Sequence, residues 1–159
     1  MFNFLFILIW HVIVFIICVS INSQFYLQKE KKNSEFKYKS KKRFYENVLK
    51  IKKWKVKLPQ YVGVNGYSKE RFIDKDILDL YDFLNETYRG EWNHAMSCTI
   101  IPVLFLINTI EKSIILSIII IIINLPFILI QRYNRLRIWN ILLKKNKTRN
   151  NLYLNYTDK

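Results

Sequence analysis

Asn124-Leu-Pro-Phe-Ile-Leu-Ile-Gln-Arg-Tyr-Asn-Arg135 begins inside an uncharged apolar run and ends in a cluster of cations. Such a change marks the place where a helix leaves the hydrocarbon of a bilayer and enters the cytoplasm. Upstream, residues 113–130 carry no charge over 18 positions, against the roughly 20 residues that a 30 Å core requires. At about 100° per residue, Ser113, Ser117, Asn124, Gln131 and Arg135 fall within about 40° of one another. One face is therefore polar along its length, and the others are almost pure Ile and Leu. Polar groups facing hydrocarbon are costly, so that face is expected to look into protein or a wet cavity. Pro126 frees the carbonyl of Ile122 and favours a kink near Asn124, whose amide is placed to answer an unpaired backbone group. A plainer reading makes Asn124 and Pro126 a kink and its patch, and Arg132, Arg135 and Arg137 positive-inside anchors. It leaves unexplained why Gln131 and Arg135 share the face of Asn124.

The 159 residues suffice for one unit. The net charge is +14 while 51% of the residues are hydrophobic, and the two properties are segregated along the chain. This pattern points to a membrane surface or an anionic ligand rather than to nucleic acid. The two cysteines, Cys18 and Cys98, sit in or beside apolar segments with no disulfide framework or metal-ligand spacing. No cofactor is expected.

Residues 1–22 hold a first apolar stretch long enough to span. It lacks a positive amino-terminal region and a small-x-small cleavage site, so it reads as an uncleaved transmembrane helix. His11, Cys18 and Asn22 share a face, and His11 is read as a neutral imidazole hydrogen-bonded to a neighbouring helix, with a proton relay as the alternative. Residues 23–96 form a basic cytoplasmic region, with 17 Lys or Arg against 10 Asp or Glu. Gln28 to Lys42 reads as a surface linker. Over about 43–58, Phe44, Val48, Ile51, Trp54 and Leu58 recur at helical spacing among lysines, with Ser40 as a cap and Pro59 as a stop. This predicts a basic amphipathic helix lying in the membrane interface. Asn65-Gly66 marks a turn. A second amphipathic helix is expected over 76–95. Its apolar face is Ile77, Tyr81, Leu84, Tyr88, Trp92 and Ala95; its polar face is Asp79, Asp82, Glu86, Arg89 and Asn93.

Residues 97–130 are read as a transmembrane hairpin turning at Glu111-Lys112. The first arm, residues 97–110, is too short to span alone and must recruit Trp92 to Met96, which draws His94 to the lipid–water boundary. The alternative is a re-entrant segment broken at Pro102. Residues 131–159 form a basic tail, with 8 basic residues and one acidic. The fold class expected is thus an all-α membrane protein of about three transmembrane helices with cytoplasmic amphipathic helices. The amino terminus lies outside and the carboxyl terminus in the cytoplasm, at the cell membrane.

The polar groups then converge on one layer. Glu86, Arg89, Glu91 and His94 approach the cytoplasmic interface from one side; Gln131, Arg132, Asn134 and Arg135 approach from the other. A histidine oriented by a carboxylate can act as a general base, which casts His94 as the base with Glu91 or Glu86 as orienter. Arginines and amides at that depth suit a phosphate or an oxyanion, which assigns Arg89, Asn124, Gln131, Arg132, Asn134 and Arg135 to substrate binding. The competing readings are a non-catalytic scaffold whose polar stripes are packing glue, and a Cys98 nucleophile served by His94 four residues earlier.

Three blocks carry a resemblance: Arg43-Phe-Tyr-Glu-Asn-Val-Leu-Lys-Ile-Lys-Lys-Trp-Lys-Val-Lys-Leu-Pro59, Glu86-Thr-Tyr-Arg-Gly-Glu-Trp-Asn-His94, and Asn124 to Arg135. In order and spacing they resemble the glycosyl-diaponeurosporenoate acyltransferases of staphyloxanthin-type carotenoid synthesis, over roughly residues 43–137. The middle block departs in detail, with Gly90 and Trp92 where Ala and Leu are expected and Ala95 where Trp is expected. The resemblance implies transfer of a fatty acyl chain to a sugar hydroxyl of a glycosylated carotenoid, or a related glycolipid, at the membrane. The partners to expect are an acyl donor (acyl-CoA or acyl carrier protein), a lipid-soluble glycosylated acceptor and anionic lipids, with no nucleic acid.

Overall fold

The computed structural model describes residues 2–21, 41–58 and 76–157, and side chains as far as residue 145. The linker reading of 28–42, for all but its last two residues, the cap at Ser40, the stop at Pro59, the Asn65-Gly66 turn and Asn22 lie outside the described residues. Within them every regular element is helical. The elements are α1 (Phe2–Ser20), a π-helical turn (Phe44–Val48), α2 (Ile51–Trp54) with a 3₁₀ turn (Lys55–Lys57), α3 (Ile77–Ser97), a 3₁₀ turn (Cys98–Ile100), α4 (Ile101–Ile107) and α5 (Ile110–Thr157). An all-α fold is what the sequence leads one to expect. Among the described residues two helices, α1 and α5, are long and apolar enough to cross a membrane. The chain divides into two units, one made of Met1–Lys31 with Asn85–Arg132, the other of Lys32–Leu84 with Tyr133–Lys159.

In the first unit, α1 packs with the 3₁₀ turn at Cys98–Ile100, with α4 and with the first part of α5. Its apolar core is Ile100, Leu104 and Ile120, with Phe6, Ile7, Trp10 and Leu116 packed against it. The register follows from the pairs: Leu104 meets Ser113, His94 meets Phe127, and Gly90 meets Gln131. The α3–α4 stretch and α5 therefore run antiparallel. The polar stripe of α5 turns inward as expected, with Ser113, Ser117 and Asn124 all buried. Ile114, Ile115, Ile118, Ile119, Ile121, Ile122 and Ile123 point outward. Outward isoleucine around an inward polar stripe reverses the pattern of a water-soluble helix and is the arrangement that hydrocarbon selects.

The turn expected at Glu111-Lys112 comes earlier in the chain. α4 ends at Ile107, Asn108 is extended (φ −130°, ψ 169°), and α5 starts at Ile110. Polar side chains at this corner satisfy the helix-end backbone. Asn108 Nδ2 donates to the Leu104 carbonyl at 3.2 Å, and Ser113 Oγ lies 2.8 Å from the same oxygen and 3.0 Å from that of Thr109. Asn3 Nδ2 donates to Asn108 Oδ1 at 2.8 Å, tying the start of α1 to the corner. Glu111 then falls in the first turn of α5, where its charge complements the helix dipole. Pro102 sits at the start of α4 and ends nothing. α5 runs unbroken through Pro126 for 48 residues, more than twice what a bilayer core requires.

In the second unit the single helix expected over 43–58 is replaced by three short turns. Lys50 adopts a left-handed conformation (φ 47°), which no helix can continue through. The break changes the apolar face: Tyr45 and Ile51 are buried, whereas Phe44 and Val48 point outward. Tyr45 lies 6.2 Å from the Tyr133 ring, and Tyr133 Oη donates to Glu46 Oε1 at 3.0 Å. Lys52 pairs with the same carboxylate at 2.9 Å, and Lys55 Nζ sits 4.9 Å over the Tyr133 ring. Burial alone pushes the Glu46 carboxyl up, but Lys52, Tyr133 and Lys42 together hold it below the usual range. A depressed carboxylate contributes stability above its unfolded pKa of about 4.3 and loses it as pH falls. Thermal unfolding followed from pH 7 down to about pH 3 is therefore expected to fall more steeply in the wild type than in Glu46→Gln. Parallel curves would remove this ion pair from the stability of the unit.

Candidate active site

α3 changes character along its length. Leu80 and Leu84 are buried in the second unit, as an amphipathic helix in water requires. Past Asn85 the order inverts: Trp92 and Met96 point outward, while Asn85, Thr87 and Ser97 are buried and His94 is half-buried. The apolar face read from the sequence holds for Leu84 and Tyr88 but not for Trp92 and Ala95. Those two follow the helical spacing but point away from the polar interior of the first unit.

His94 stands at the centre of that interior. Its ring stacks on Phe127, with centroids 4.7 Å apart and planes 10° from parallel. Its Nδ1 lies 3.0 Å from Asn124 Oδ1. The orientation of this amide is settled by its other end. Asn124 Nδ2 is 2.9 Å from the carbonyl oxygen of Ile120, which can only accept. Nδ2 is therefore the donor there, Oδ1 faces His94, and His94 Nδ1 must carry the proton. In the neutral ring Nε2 is then the unprotonated nitrogen. The backbone partner of Asn124 is thus the carbonyl of Ile120 rather than that of Ile122, the one freed by Pro126. His11 lies on the far side of the same amide, its Nε2 3.5 Å from Asn124 Nδ2.

The carboxylates flank this centre. Glu91 Oε1 accepts from Arg132 Nε at 2.5 Å, across α3 and α5. Glu86 Oε1 accepts from Arg89 Nη1 at 2.7 Å, one turn along α3, the pairing that the spacing predicts. Gln131 lies across Gly90: a Cβ added at that glycine would meet Gln131 Nε2 at 2.8 Å and Cδ at 3.0 Å. Gly90 is four residues before His94, about 6 Å along the helix axis, so the Gln131 amide sits about one turn from the imidazole. Cys98 Sγ lies 3.4 Å from the backbone carbonyl of His94, which is where a small hydrogen-bonding side chain four residues on is held. Asn134 and Arg135 belong to the second unit, where both are buried.

The first unit thus gathers His94, Glu86, Glu91, Arg89, Asn124, Gln131 and Arg132. The parts that sequence reasoning missed are the stack on Phe127, the Gly90–Gln131 contact and the approach of His11 to Asn124. Phe127 was within reach of the sequence, since it lies three residues after Asn124 on the same side of α5. The Gly90 contact had its signal in the departure from Ala at that position. An imidazole with a defined free nitrogen, an amide that fixes it, and amide and guanidinium donors nearby can serve proton abstraction from a hydroxyl followed by acyl transfer. A family model described as glycosyl-4,4'-diaponeurosporenoate acyltransferase matches residues 22–144. No curated protein and no solved structure matches the chain. The match covers most of the 159 residues and takes in α2, α3, α4 and α5 as far as Lys144. The chain belongs to the glycosyl-4,4'-diaponeurosporenoate acyltransferase family and is a carotenoid-related acyltransferase.

Proposed function

We propose that His94 is the general base of the acyl transfer and that Asn124 positions it. The observation that carries this reading is the Nδ1–Oδ1 hydrogen bond, which leaves Nε2 with its lone pair. A sugar hydroxyl of the glycosylated carotenoid gives its proton to Nε2 as its oxygen attacks the carbonyl carbon of an acyl thioester. The tetrahedral intermediate collapses with loss of the thiolate, which takes the proton back from Nε2, and an ester and a thiol result. Gln131 Nε2 is a candidate donor to the oxyanion: base and oxyanion donor flank the reacting carbon, and one helical turn is a suitable separation for them. Arg89 and Arg132, each beside a carboxylate, bring guanidinium charge to this layer for the acyl donor, whether acyl-CoA or acyl carrier protein. Glu91 and Glu86 support this role by fixing the two arginines.

The protein crosses the membrane three times in this reading: through α1, through the end of α3 with α4, and through the first half of α5. From Ile110 to Gln131 the helix rises about 33 Å, close to the hydrocarbon thickness. The Asn108 corner is external, and the tail, like residues 23–91, is cytoplasmic. A reporter fused after Lys159 is expected to be active only in the cytoplasm, and a cysteine placed at Thr109 to react with an impermeant maleimide from outside. Labelling at Lys159 from outside intact cells contradicts this topology. The activity itself is tested by assaying membranes for acylated against unacylated glycoside when the protein is supplied to cells lacking it.

A further inference from the structure

The mechanism uses one of the two histidines. The other, His11, lies on α1, outside the residues matched by the family model. It is half-buried on a face shared with the buried Val14 and Cys18. Its Nδ1 is 2.8 Å from the carbonyl oxygen of Ile7, one turn back. A carbonyl only accepts, so Nδ1 carries the proton and Nε2 is an acceptor. Nε2 faces Asn124 Nδ2 at 3.5 Å, a long contact, while the other hydrogen of that amide serves the Ile120 carbonyl at 2.9 Å. The hydrogen bonds thus run in one direction, with donors and acceptors matched at every link. His94 Nδ1–H gives to Asn124 Oδ1, Asn124 Nδ2–H gives to His11 Nε2, and His11 Nδ1–H gives to the Ile7 carbonyl. Aligned bonds of this kind polarise one another, and the order at one end favours the order at the other.

We infer that His11 is a positioning residue: it holds the Asn124 amide in the orientation that keeps His94 in its Nδ1–H tautomer, so that α1 completes the active site. The catalytic part of this statement rests on His94 being the base; the tautomer part does not. His11 touches no reacting atom in this scheme, and no proton needs to travel along the chain. If His11 loses its Nε2 acceptor, the amide keeps only the Ile120 carbonyl as a fixed reference. Its Oδ1 then wanders from His94, and both imidazole tautomers become populated.

The test compares His11→Gln with His11→Asn in the full-length protein in nanodiscs. Glutamine places an amide oxygen where Nε2 stood, whereas asparagine reaches only as far as Nδ1. Both are neutral and polar, so both are expected to leave the helix packed. The readout is the ¹⁵N spectrum of His94, which separates a protonated from an unprotonated ring nitrogen, together with kcat and KM. Wild type and His11→Gln are expected to show an unprotonated Nε2. His11→Asn is expected to show mixed tautomers and a kcat about 2- to 10-fold lower with KM unchanged, the loss typical of one neutral hydrogen bond. An unchanged His94 spectrum in His11→Asn overturns the inference, as does an equal disturbance in both variants. If His94→Ala keeps its activity, the base assignment fails, and the spectra still decide whether His11 positions the ring.

Discussion

His94→Ala is expected to lower acylation by about 10² to 10⁴, to or below detection, while the protein still accumulates in the membrane. The ring is stacked on Phe127 and bonded through Nδ1, so its removal takes away the one nitrogen aimed to accept a proton. Its loss leaves a space beside Phe127. Glu91→Gln is expected to be milder. Glu91 accepts from Arg132, and a glutamine oxygen can keep that bond without the charge. The measurement is acylated product against unacylated glycoside, normalised to membrane protein. Near-normal product from His94→Ala would remove the base from the account.

The second large effect is expected at Asn124. Asn124→Leu keeps the size of the side chain but withdraws both the acceptor for His94 Nδ1 and the donor to the Ile120 carbonyl. A lost hydrogen bond to a buried polar group costs about 1 to 3 kcal/mol, which corresponds to about 5- to 150-fold in rate when the group is needed in one tautomer. KM for the acyl donor is expected to stay near the wild-type value, because the amide is turned toward the two histidines. Asn124→Asp is expected to fail as well. A carboxylate cannot donate to the Ile120 carbonyl, and a charge at this depth is costly. A rise in KM with kcat unchanged in Asn124→Leu would make Asn124 a substrate contact instead.

The first half of α5 was the most legible part of the chain, because its polar positions keep a strict helical phase against a uniform isoleucine background. Ser113, Ser117 and Asn124 could be placed on one inward face from spacing alone, and all three are buried. The 43–58 segment was legible only in part. Its apolar spacing describes a continuous helix, but the left-handed Lys50 breaks it, and nothing in the run of lysines marks that residue out. α3 shows the physical limit of pattern reading. One helix passes from a setting that buries leucine to one that buries asparagine, and a single apolar face cannot describe both. The partner of His94 was missed for a related reason. Glu91 is a near neighbour in sequence, whereas Asn124 is 30 residues away and becomes a neighbour only once the antiparallel register is fixed.

The central claim is that Asn124 acts through His94. It is tested most directly by a double-mutant cycle on the initial rate of acyl transfer, measured with labelled acyl donor and equal amounts of membrane protein. If the amide serves only to hold the base, His94→Ala combined with Asn124→Leu is expected to be no slower than His94→Ala alone, since no ring is left to be held. Losses that multiply in the double variant would mean that the two residues act independently, and would contradict the account.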